Sequence, residues 1–197
     1  MAAQGARSDT AERILDVAER LVQVSGYNGF SYADVAAELK LTTPSLHYRF
    51  AGKAELGEAL IARYAERFAT ALVAIAESPA DARRRIEAYI DLYGQVLRQD
   101  RMCLCGMLAA EYQTLPTRMR AEVIGFFDGN EDWLERVLTA GRDKGELQFA
   151  GAPSEAARNI VSTLEGAMLI ARSYRDVGRF DVAARMLMAG LGDATAP

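Results

Sequence analysis

The residues best suited to chemistry lie together in LTTPSLHYRFAGKAEL, residues 41–56. This segment contains the only histidine of the chain, His47, together with Tyr48, Arg49 and Lys53. A histidine can act as a general base or a metal ligand, and the same side chains can contact the phosphates and base edges of DNA. The cluster therefore belongs to an active site, to a nucleic-acid interface, or to a packed helical bundle whose polar residues have no functional role.

A catalytic or metal site around His47 has little support elsewhere in the chain. There is no second histidine, and the two cysteines, Cys103 and Cys105, are not at the spacing of a zinc site. No catalytic residue, metal site or cofactor is therefore predicted. A small helical enzyme that acts through acidic residues such as Glu111 and Glu165 is an alternative, but it lacks a nucleophile–base pair.

The segment RMCLCGMLAAEY, residues 101–112, offers a second kind of chemistry. Cys103 and Cys105 could respond to oxidants or electrophiles, with Arg101 nearby to favour the thiolate. The alternative is a pair of buried, unreactive thiols. These cysteines do not form a disulfide framework, and the N-terminal residues lack the apolar core of a signal peptide. A cytoplasmic location is therefore expected.

Composition indicates a helical, globular chain. Of its 197 residues, 50% are hydrophobic and 25% are charged, and Ala, Leu, Glu and Arg dominate. No apolar run approaches the length of a membrane span, so no membrane contact is predicted. The net charge of −4 does not favour a nucleic-acid partner, but residues 40–53 contain Lys40, Arg49 and Lys53 and no acidic residue. The predicted fold class is all-α.

Helix signals surround the histidine segment. A first helix is predicted from Ser8 or Asp9 to Ser25, with its apolar residues at helical spacing. A second begins at Ser31, where Asp34 three residues later resembles a capping box. Further breaks in the pattern predict about nine helices in total. The later ones are expected at residues 80–99, 101–113, 116–143, 154–174 and 179–191.

The third helix has two distinct faces. Thr42 is its predicted N-cap, and Pro44 lies in its first turn, where a missing N–H costs nothing. Leu46 and Phe50, four residues apart, are predicted to face the core. The opposite face consists of Thr43, Pro44, His47 and Tyr48. Two short helices joined by a tight turn, with a fourth helix from Lys53 in support, form the plan of a helix-turn-helix.

This segment resembles the N-terminal DNA-binding part of the TetR/AcrR family of bacterial transcriptional regulators. The matching pieces are Gly26-Tyr27, Ser31 to Ala36, Leu46 to Phe50 and Lys53 to Leu56. The resemblance implies that the motif, at about residues 31–50, belongs to a DNA-binding domain of residues 1–53. It further implies a DNA-binding set of Ser31, Thr42, Thr43, Pro44, Ser45, His47, Tyr48 and Lys53, in which Ser31 and Lys53 hold phosphates.

Three residues depart from the family pattern. His47 stands where the family usually has tyrosine, so the operator sequence cannot be carried over. Lys40 stands where a glycine usually makes the turn, so a lysine must adopt that conformation at a cost of about 1 kcal/mol if its φ is positive. Ala33 stands where a basic or polar residue often contacts phosphate.

The resemblance implies that residues 54–197 form an effector-binding and dimerisation domain. Aromatic, methionine and cysteine residues at helical spacing are the candidates to line an effector pocket, with a plain hydrophobic core as the alternative. They are Tyr64, Phe68, Tyr89, Tyr93, Met102, Cys103, Met107, Tyr112, Phe126, Phe127 and Trp133.

The last two long helices carry apolar stripes that could form a dimer interface, again with an intramolecular core as the alternative. The predicted interface residues are Ile160, Val161, Leu164, Met168, Ala171, Met186, Leu187 and Leu191. A homodimer would place two recognition helices on a palindromic operator of double-stranded DNA.

The expected function is therefore a ligand-responsive transcriptional regulator, most simply a repressor. A small-molecule effector would shift the fourth helix, change the separation of the recognition helices and release the operator. The alternatives are a trigger by thiol modification at Cys103 or Cys105, a DNA-binding protein without an effector, and the helical enzyme.

Overall fold

The computed structural model describes residues 2–192, with side chains from residue 9 onward, and the regular structure in that part of the chain is helical. The helices are α1 (Ala2–Ser25), α2 (Tyr32–Leu39), α3 (Thr43–His47), α4 (Lys53–Glu77), α5 (Ala82–Leu97), α6 (Leu104–Ala110), α7 (Thr117–Asp143), α8 (Pro153–Tyr174) and α9 (Gly178–Gly190). A single 3₁₀ turn, Tyr112–Thr114, lies between α6 and α7. The all-α prediction is therefore confirmed. None of these helices combines the length and the apolarity that a membrane span requires.

The turn between α2 and α3 forms from local signals. Ser31 caps α2 and forms a capping box with Asp34, and Thr42 is the N-cap of α3 with an extended backbone, as predicted. Lys40 ends α2 in the left-handed conformation, with φ 55°. The amide of Leu41 then donates to the carbonyl of Ala36 at 2.9 Å. The lysine thus carries the backbone cost, on the order of 1 kcal/mol, that a glycine would avoid.

Two predicted helix boundaries are wrong. Ser8 and Asp9 lie inside α1, which begins at Ala2, because the residues before them do not break a helix. The helix predicted over residues 101–113 is limited to α6, Leu104–Ala110. Asp100 has a positive φ of 56°, which ends the preceding helical segment and leaves residues 101–103 outside any helix.

The described chain forms two compact units. Unit 1 contains the chain up to Glu66 together with Leu104–Ile124, and unit 2 contains Arg67–Cys103 together with the chain from Gly125 onward. Helices α4 and α7 each contribute residues to both units. The predicted division into domains at residue 53 stays a prediction.

Each unit has its own core. In unit 1, α1 packs against α2 and α6, and the α1 residues Ile14, Ala18 and Val22 are fully buried. In unit 2, α8 packs against α5 and α9, and Leu164 and Met168 of α8 are fully buried. The helix-turn-helix therefore rests on α1, which itself packs against α6, whereas the C-terminal helices are organised around α8.

Candidate nucleic-acid interface

Helix α3 has the two faces that its spacing predicts. Leu46 is fully buried and Phe50 is buried beside it. The hydroxyl of Tyr32 in α2 donates to the carbonyl of Phe50 at 3.1 Å, which fixes the end of α3 to α2. Burial raises the pKa of Tyr32 to about 12, so this hydroxyl keeps its proton. The inner face of α3 is thus held by packing and by a buried hydrogen bond.

The outer face of α3 is open to solvent. Thr42, Pro44, Ser45, His47 and Tyr48 are exposed, and Thr43 is partly exposed. The side chain of Tyr48 is 68% exposed, which is unusual for an aromatic residue in a small packed domain. A short helix with small residues first and ring-bearing residues next can enter a major groove.

His47 has one ring nitrogen already occupied. Its Nδ1 lies 3.1 Å from the carbonyl oxygen of Ala51, and its ring centre lies 4.7 Å from that of Tyr32. A carbonyl oxygen only accepts hydrogen bonds, so Nδ1 carries a proton. This arrangement orients the ring and leaves Nε2 as the nitrogen that can meet a base or a phosphate.

Ser31 is engaged within its own helix cap. Its main-chain N–H and its hydroxyl both donate to Oδ2 of Asp34 at 2.7 Å, and the Asp34 amide lies 3.4 Å from the Ser31 oxygen. These hydrogen bonds lower the pKa of Asp34. The hydroxyl proton that the resemblance assigns to a phosphate therefore already has an acceptor.

Lys53 is directed into the helix-turn-helix. Its ammonium donates to the carbonyl of Phe30 and lies over the rings of Tyr27 and Phe30, at 4.7 and 4.3 Å from their centres. Burial lowers the pKa of Lys53, and the nearby carboxylates Glu111 and Asp34 oppose that change. The structure thus gives the predicted phosphate ligand an internal role.

Arg63 of α4 fixes α1 through three carboxylates. Its guanidinium lies 3.0 Å from Glu12, 2.8 Å from Asp16 and 2.9 Å from Glu19. These acids follow one another along one face of α1 at helical spacing. The start of α4 is therefore joined to α1 by charge as well as by packing.

The predicted effector-site residues are divided between the two units. Tyr64, Met107 and Tyr112 belong to unit 1, and Phe68, Tyr93, Cys103 and Phe127 belong to unit 2. The further candidates Tyr89, Met102, Phe126 and Trp133 also belong to unit 2. Their role in binding an effector stays a prediction.

Unit 2 contains a buried polar cluster among aromatic rings. The hydroxyl of Tyr89 donates to Asn130 Oδ1 at 3.0 Å and lies 3.2 Å from the hydroxyl of Tyr93. The Tyr89 ring stacks on Trp133 at 5.6 Å, and Phe68 meets both tyrosines edge to face. Burial raises the pKa values of both tyrosines, so their hydroxyls stay neutral.

Glu165 of α8 adds a carboxyl to this part of unit 2. Burial raises its pKa to about 7, and a hydrogen bond from Cys103 opposes the shift. Cys103 is 1% exposed. A buried thiol beside a carboxyl favours the protonated thiol over the thiolate. The sequence had marked both residues as reactive candidates, and the structure instead pairs them with each other.

The α8 stripe that was predicted to form the dimer interface faces the core of unit 2 and not the solvent. The residues that form it are at most 5% exposed, because they fill the core of unit 2; they are Ile160, Val161, Leu164, Met168 and Ala171. Leu191 is also buried, and Leu187 is partly exposed. Met186 of α9 is 69% exposed, as an interface residue in an isolated chain should be.

A different apolar surface on α8 and α9 is open to solvent. Its residues, Leu169, Ile170, Tyr174, Val182 and Met186, are each at least 49% exposed. We call this surface the α8–α9 apolar face.

The sequence gives no indication of the structural role of some polar residues. Glu111 accepts hydrogen bonds from main-chain amides 84 residues earlier in the chain, and Asn130 supports Tyr89 from a different helix. Among residues 9–192, no three His, Cys, Asp or Glu side chains come together in a group that could hold a metal ion.

Comparison with known proteins agrees with the class that this geometry defines, an all-α helix-turn-helix DNA-binding protein. The profile of bacterial regulatory proteins of the tetR family matches residues 14–60, and that of the tetracyclin repressor-like C-terminal domain matches residues 82–187. The HTH-type transcriptional repressor NemR of Escherichia coli (strain K12) is 28% identical over 174 residues, which cover 85% of this chain and 86% of NemR.

Solved structures give the same result. A TetR-family transcriptional regulator from Agrobacterium tumefaciens is 30% identical, with a TM-score of 0.90 over 94% of this chain and 100% of its own. A TetR regulator from Legionella pneumophila is 31% identical, with a TM-score of 0.84 over 92% of this chain and 96% of its own. The chain belongs to the TetR family and is a DNA-binding transcriptional regulator. The family resemblance of the helix-turn-helix segment is thereby confirmed.

Proposed function

We propose that this regulator is a repressor that binds a palindromic operator as a homodimer and releases it when a small molecule binds. The observation that carries the proposal is the outer face of α3, which presents polar and aromatic side chains while Leu46 and Phe50 anchor the helix in the core. The relative NemR is a transcriptional repressor, which supports repression over activation.

The proposed readout of DNA combines small and ring-bearing side chains. Thr43 and Pro44 can approach thymine methyl groups or base edges, and Ser45 can bond to either kind of base. The Nε2 of His47 and the hydroxyl of Tyr48 can reach bases or phosphates. Thr42, whose Oγ1 lies 2.9 Å from Ser45 Oγ, is better placed to support Ser45 than to read DNA itself.

The α8–α9 apolar face is the proposed dimer surface. Two packed helices together expose five large apolar side chains, and exposed apolar surface of this kind marks protein interfaces. A symmetric pair of such faces would bury α8 and α9 of each subunit in a four-helix interface. Dimerisation would then supply the two recognition helices that a palindrome requires.

Effector control is proposed to act through α4. This helix begins at Lys53, directly after the helix-turn-helix, and continues into unit 2, so it is shared by the DNA-reading part and the C-terminal part. The buried polar cluster around Tyr89 and Tyr93 is the part of unit 2 that offers hydrogen-bonding groups inside an apolar surround, which is typical of ligand sites. Of the predicted pocket residues, those in unit 2 are proposed to bind the effector near it; they are Phe68, Tyr93, Cys103 and Phe127.

A trigger by thiol modification is the second candidate. The structure favours it less, because Cys103 is 1% exposed and its thiol donates a hydrogen bond to Glu165. Cys105 is fully buried as well. Alkylation by N-ethylmaleimide should therefore be much slower in the folded protein than in urea, and rapid labelling of Cys103 with loss of DNA binding would favour the thiol trigger.

The test of the main proposal is operator binding. The purified protein should bind a palindrome in its own promoter region with salt-dependent and sequence-selective affinity. His47→Ala and Tyr48→Ala should weaken this binding and leave the fold unchanged, whereas Arg84→Ala, at an exposed position on α5, should bind as the wild type does. The proposal fails if the wild-type protein shows no sequence preference, and enzymatic turnover that survives both α3 substitutions would favour the enzyme alternative.

A further inference from the structure

The carboxylate of Glu111 binds the main chain of the turn that follows α1. Its Oε2 accepts a hydrogen bond from the amide of Tyr27 at 2.5 Å, and both of its oxygens lie 3.3 Å from the amide of Asn28. The side-chain amide of Asn28 also donates to the hydroxyl of Thr114 at 2.7 Å. We call these contacts the Glu111 clasp. They join the end of α6 to the entrance of the helix-turn-helix within unit 1.

The turn is shaped to receive an anion. Gly26 has a φ of 83°, in the left-handed region, and the two residues after it direct consecutive N–H groups at the same carboxylate. Such concavities of successive amides bind anions in many proteins, and here the anion belongs to the chain itself. A Cβ at position 26 would lie 2.7 Å from Oε1 of Glu111, so the glycine also leaves room for the carboxylate.

A cation, Lys53, lies near the clasp. Lys53 is close enough for the Glu111 carboxylate to raise the pKa of the ammonium against the effect of burial. Hydrogen bonds from amides to an ionised carboxylate are stronger than those between neutral groups. The clasp therefore combines charge-assisted hydrogen bonds with a neighbouring cation that is itself bound to Phe30.

We propose that Glu111 is a positioning residue for DNA binding. The clasp fixes the turn between α1 and α2, and with it α3, to the end of α6, and Glu111 itself touches no DNA. Since the carboxylate binds main-chain amides, a displacement of α6 passes directly to the backbone of the helix-turn-helix. This role rests on the DNA-binding function. It means that the helix-turn-helix is connected to the rest of the chain by the Glu111 clasp as well as by α4.

Electrostatics and positioning predict opposite effects for Glu111→Gln. Removal of a negative charge by itself should leave binding to DNA unchanged or strengthen it, because the phosphates repel carboxylates. Loss of the clasp should instead weaken specific binding, by roughly tenfold for hydrogen bonds to a charged group. Glu77→Gln, at an exposed position on α4 outside unit 1, removes the same charge and serves as the matched control.

The experiment uses the full-length protein and an operator selected from random DNA by the wild type. Glu111→Gln and Glu111→Ala should lose operator affinity while binding to unrelated DNA stays as in the wild type, so that the specificity ratio falls. Thr114→Ala removes the Asn28 contact and the hydrogen bond that Thr114 Oγ1 donates to the main-chain carbonyl of Glu111, and it should lose about threefold. The amide signals of Tyr27 and Asn28 in a proton–nitrogen NMR spectrum should move in both Glu111 variants and stay in place in Glu77→Gln.

Two results would overturn the positioning role. One is wild-type operator affinity in Glu111→Ala although the Tyr27 amide signal has moved, since the clasp would then be lost without effect. The other is an equal loss of specific and unspecific binding, which would indicate general unfolding of unit 1. Failure of the wild type to select any operator would instead contradict the DNA-binding function, so the two failures are distinguishable.

Discussion

The ammonium of Lys53 donates a hydrogen bond to the main-chain carbonyl of Phe30 and lies 4.3 Å from the centre of the Phe30 ring. Phe30 precedes α2 in the sequence and Lys53 follows α3, so their contact joins the two ends of the helix-turn-helix. The family resemblance implies that a lysine at this position of the motif binds a DNA phosphate. The contact with Phe30 gives this lysine a structural role within the motif, and its contact with a phosphate stays a prediction.

Lys53→Met is expected to reduce stability and to leave the salt dependence of operator binding unchanged. Loss of the hydrogen bond and of the two ring contacts should lower the free energy of unfolding by about 1–2 kcal/mol. Urea denaturation measures the first effect, and affinity as a function of salt concentration measures the second. A slope that falls by about one would show that Lys53 does bind a phosphate.

His47 is expected to determine part of the operator preference. His47→Tyr, which restores the usual family residue, should change the preferred base at one or two positions of each half-site, because the ring nitrogen that faces DNA is lost. A wrong base pair typically costs about 1–3 kcal/mol. Selection from a random library with both proteins checks this, and identical consensus sequences would contradict it.

Ile170→Glu is expected to convert the protein to a monomer. A charge at the centre of the α8–α9 apolar face would have to be buried in the dimer without a partner, which costs several kcal/mol. Val73→Glu, on α4, is the matched control, since Val73 is 54% exposed and Ile170 is 51% exposed. Sedimentation equilibrium should give a monomer for the first variant and a dimer for the second, and a dimeric Ile170→Glu would exclude this face as the interface.

Glu165 is expected to make stability depend on pH. Its pKa is raised from 4.5 to about 7 by burial, so between these values the unfolded chain loses a proton that the folded chain keeps. The free energy of unfolding must then decrease as pH rises through this window, by about 3 kcal/mol in total.

Glu165→Gln removes this dependence and keeps an acceptor for the Cys103 thiol. The variant should match the wild type in stability near pH 4.5 and exceed it above pH 7, as measured by urea denaturation at several pH values. Tyr89 and Tyr93 do not add to the effect, because both remain neutral in this range. A difference in stability that does not change with pH would show that Glu165 ionises normally.

Much of the DNA-binding part could be predicted because its signals are local. The capping box of Ser31 and Asp34 and the N-cap at Thr42 depend on residues within one turn of helix, and the structure contains them. Lys40 was predicted to bear a strained turn and has a positive φ. The family followed from the same segment, and the all-α class followed from composition.

The residues that could not be predicted depend on partners far away in the chain. Periodicity shows that α8 has an apolar stripe, but it does not show whether that stripe packs against the same chain or a second copy. Ile160 and Leu164 were therefore given to an interface although they are buried in the core. Glu111 lies 84 residues from the amide it binds, and a single sequence contains no sign of such a contact.

The closeness of Gly26 and Glu111 also constrains how this protein can evolve. A side chain at position 26 would meet both an unfavourable φ and the Glu111 carboxylate, so a substitution there should displace that carboxylate unless residue 111 is shorter. The reverse order is easier, because a shorter residue at 111 leaves the glycine intact. Natural homologues should therefore combine glycine at 26 with many residues at 111, but glutamate at 111 almost always with glycine at 26. The residues at positions 26 and 111 should therefore covary in this one-sided way in an alignment of homologues.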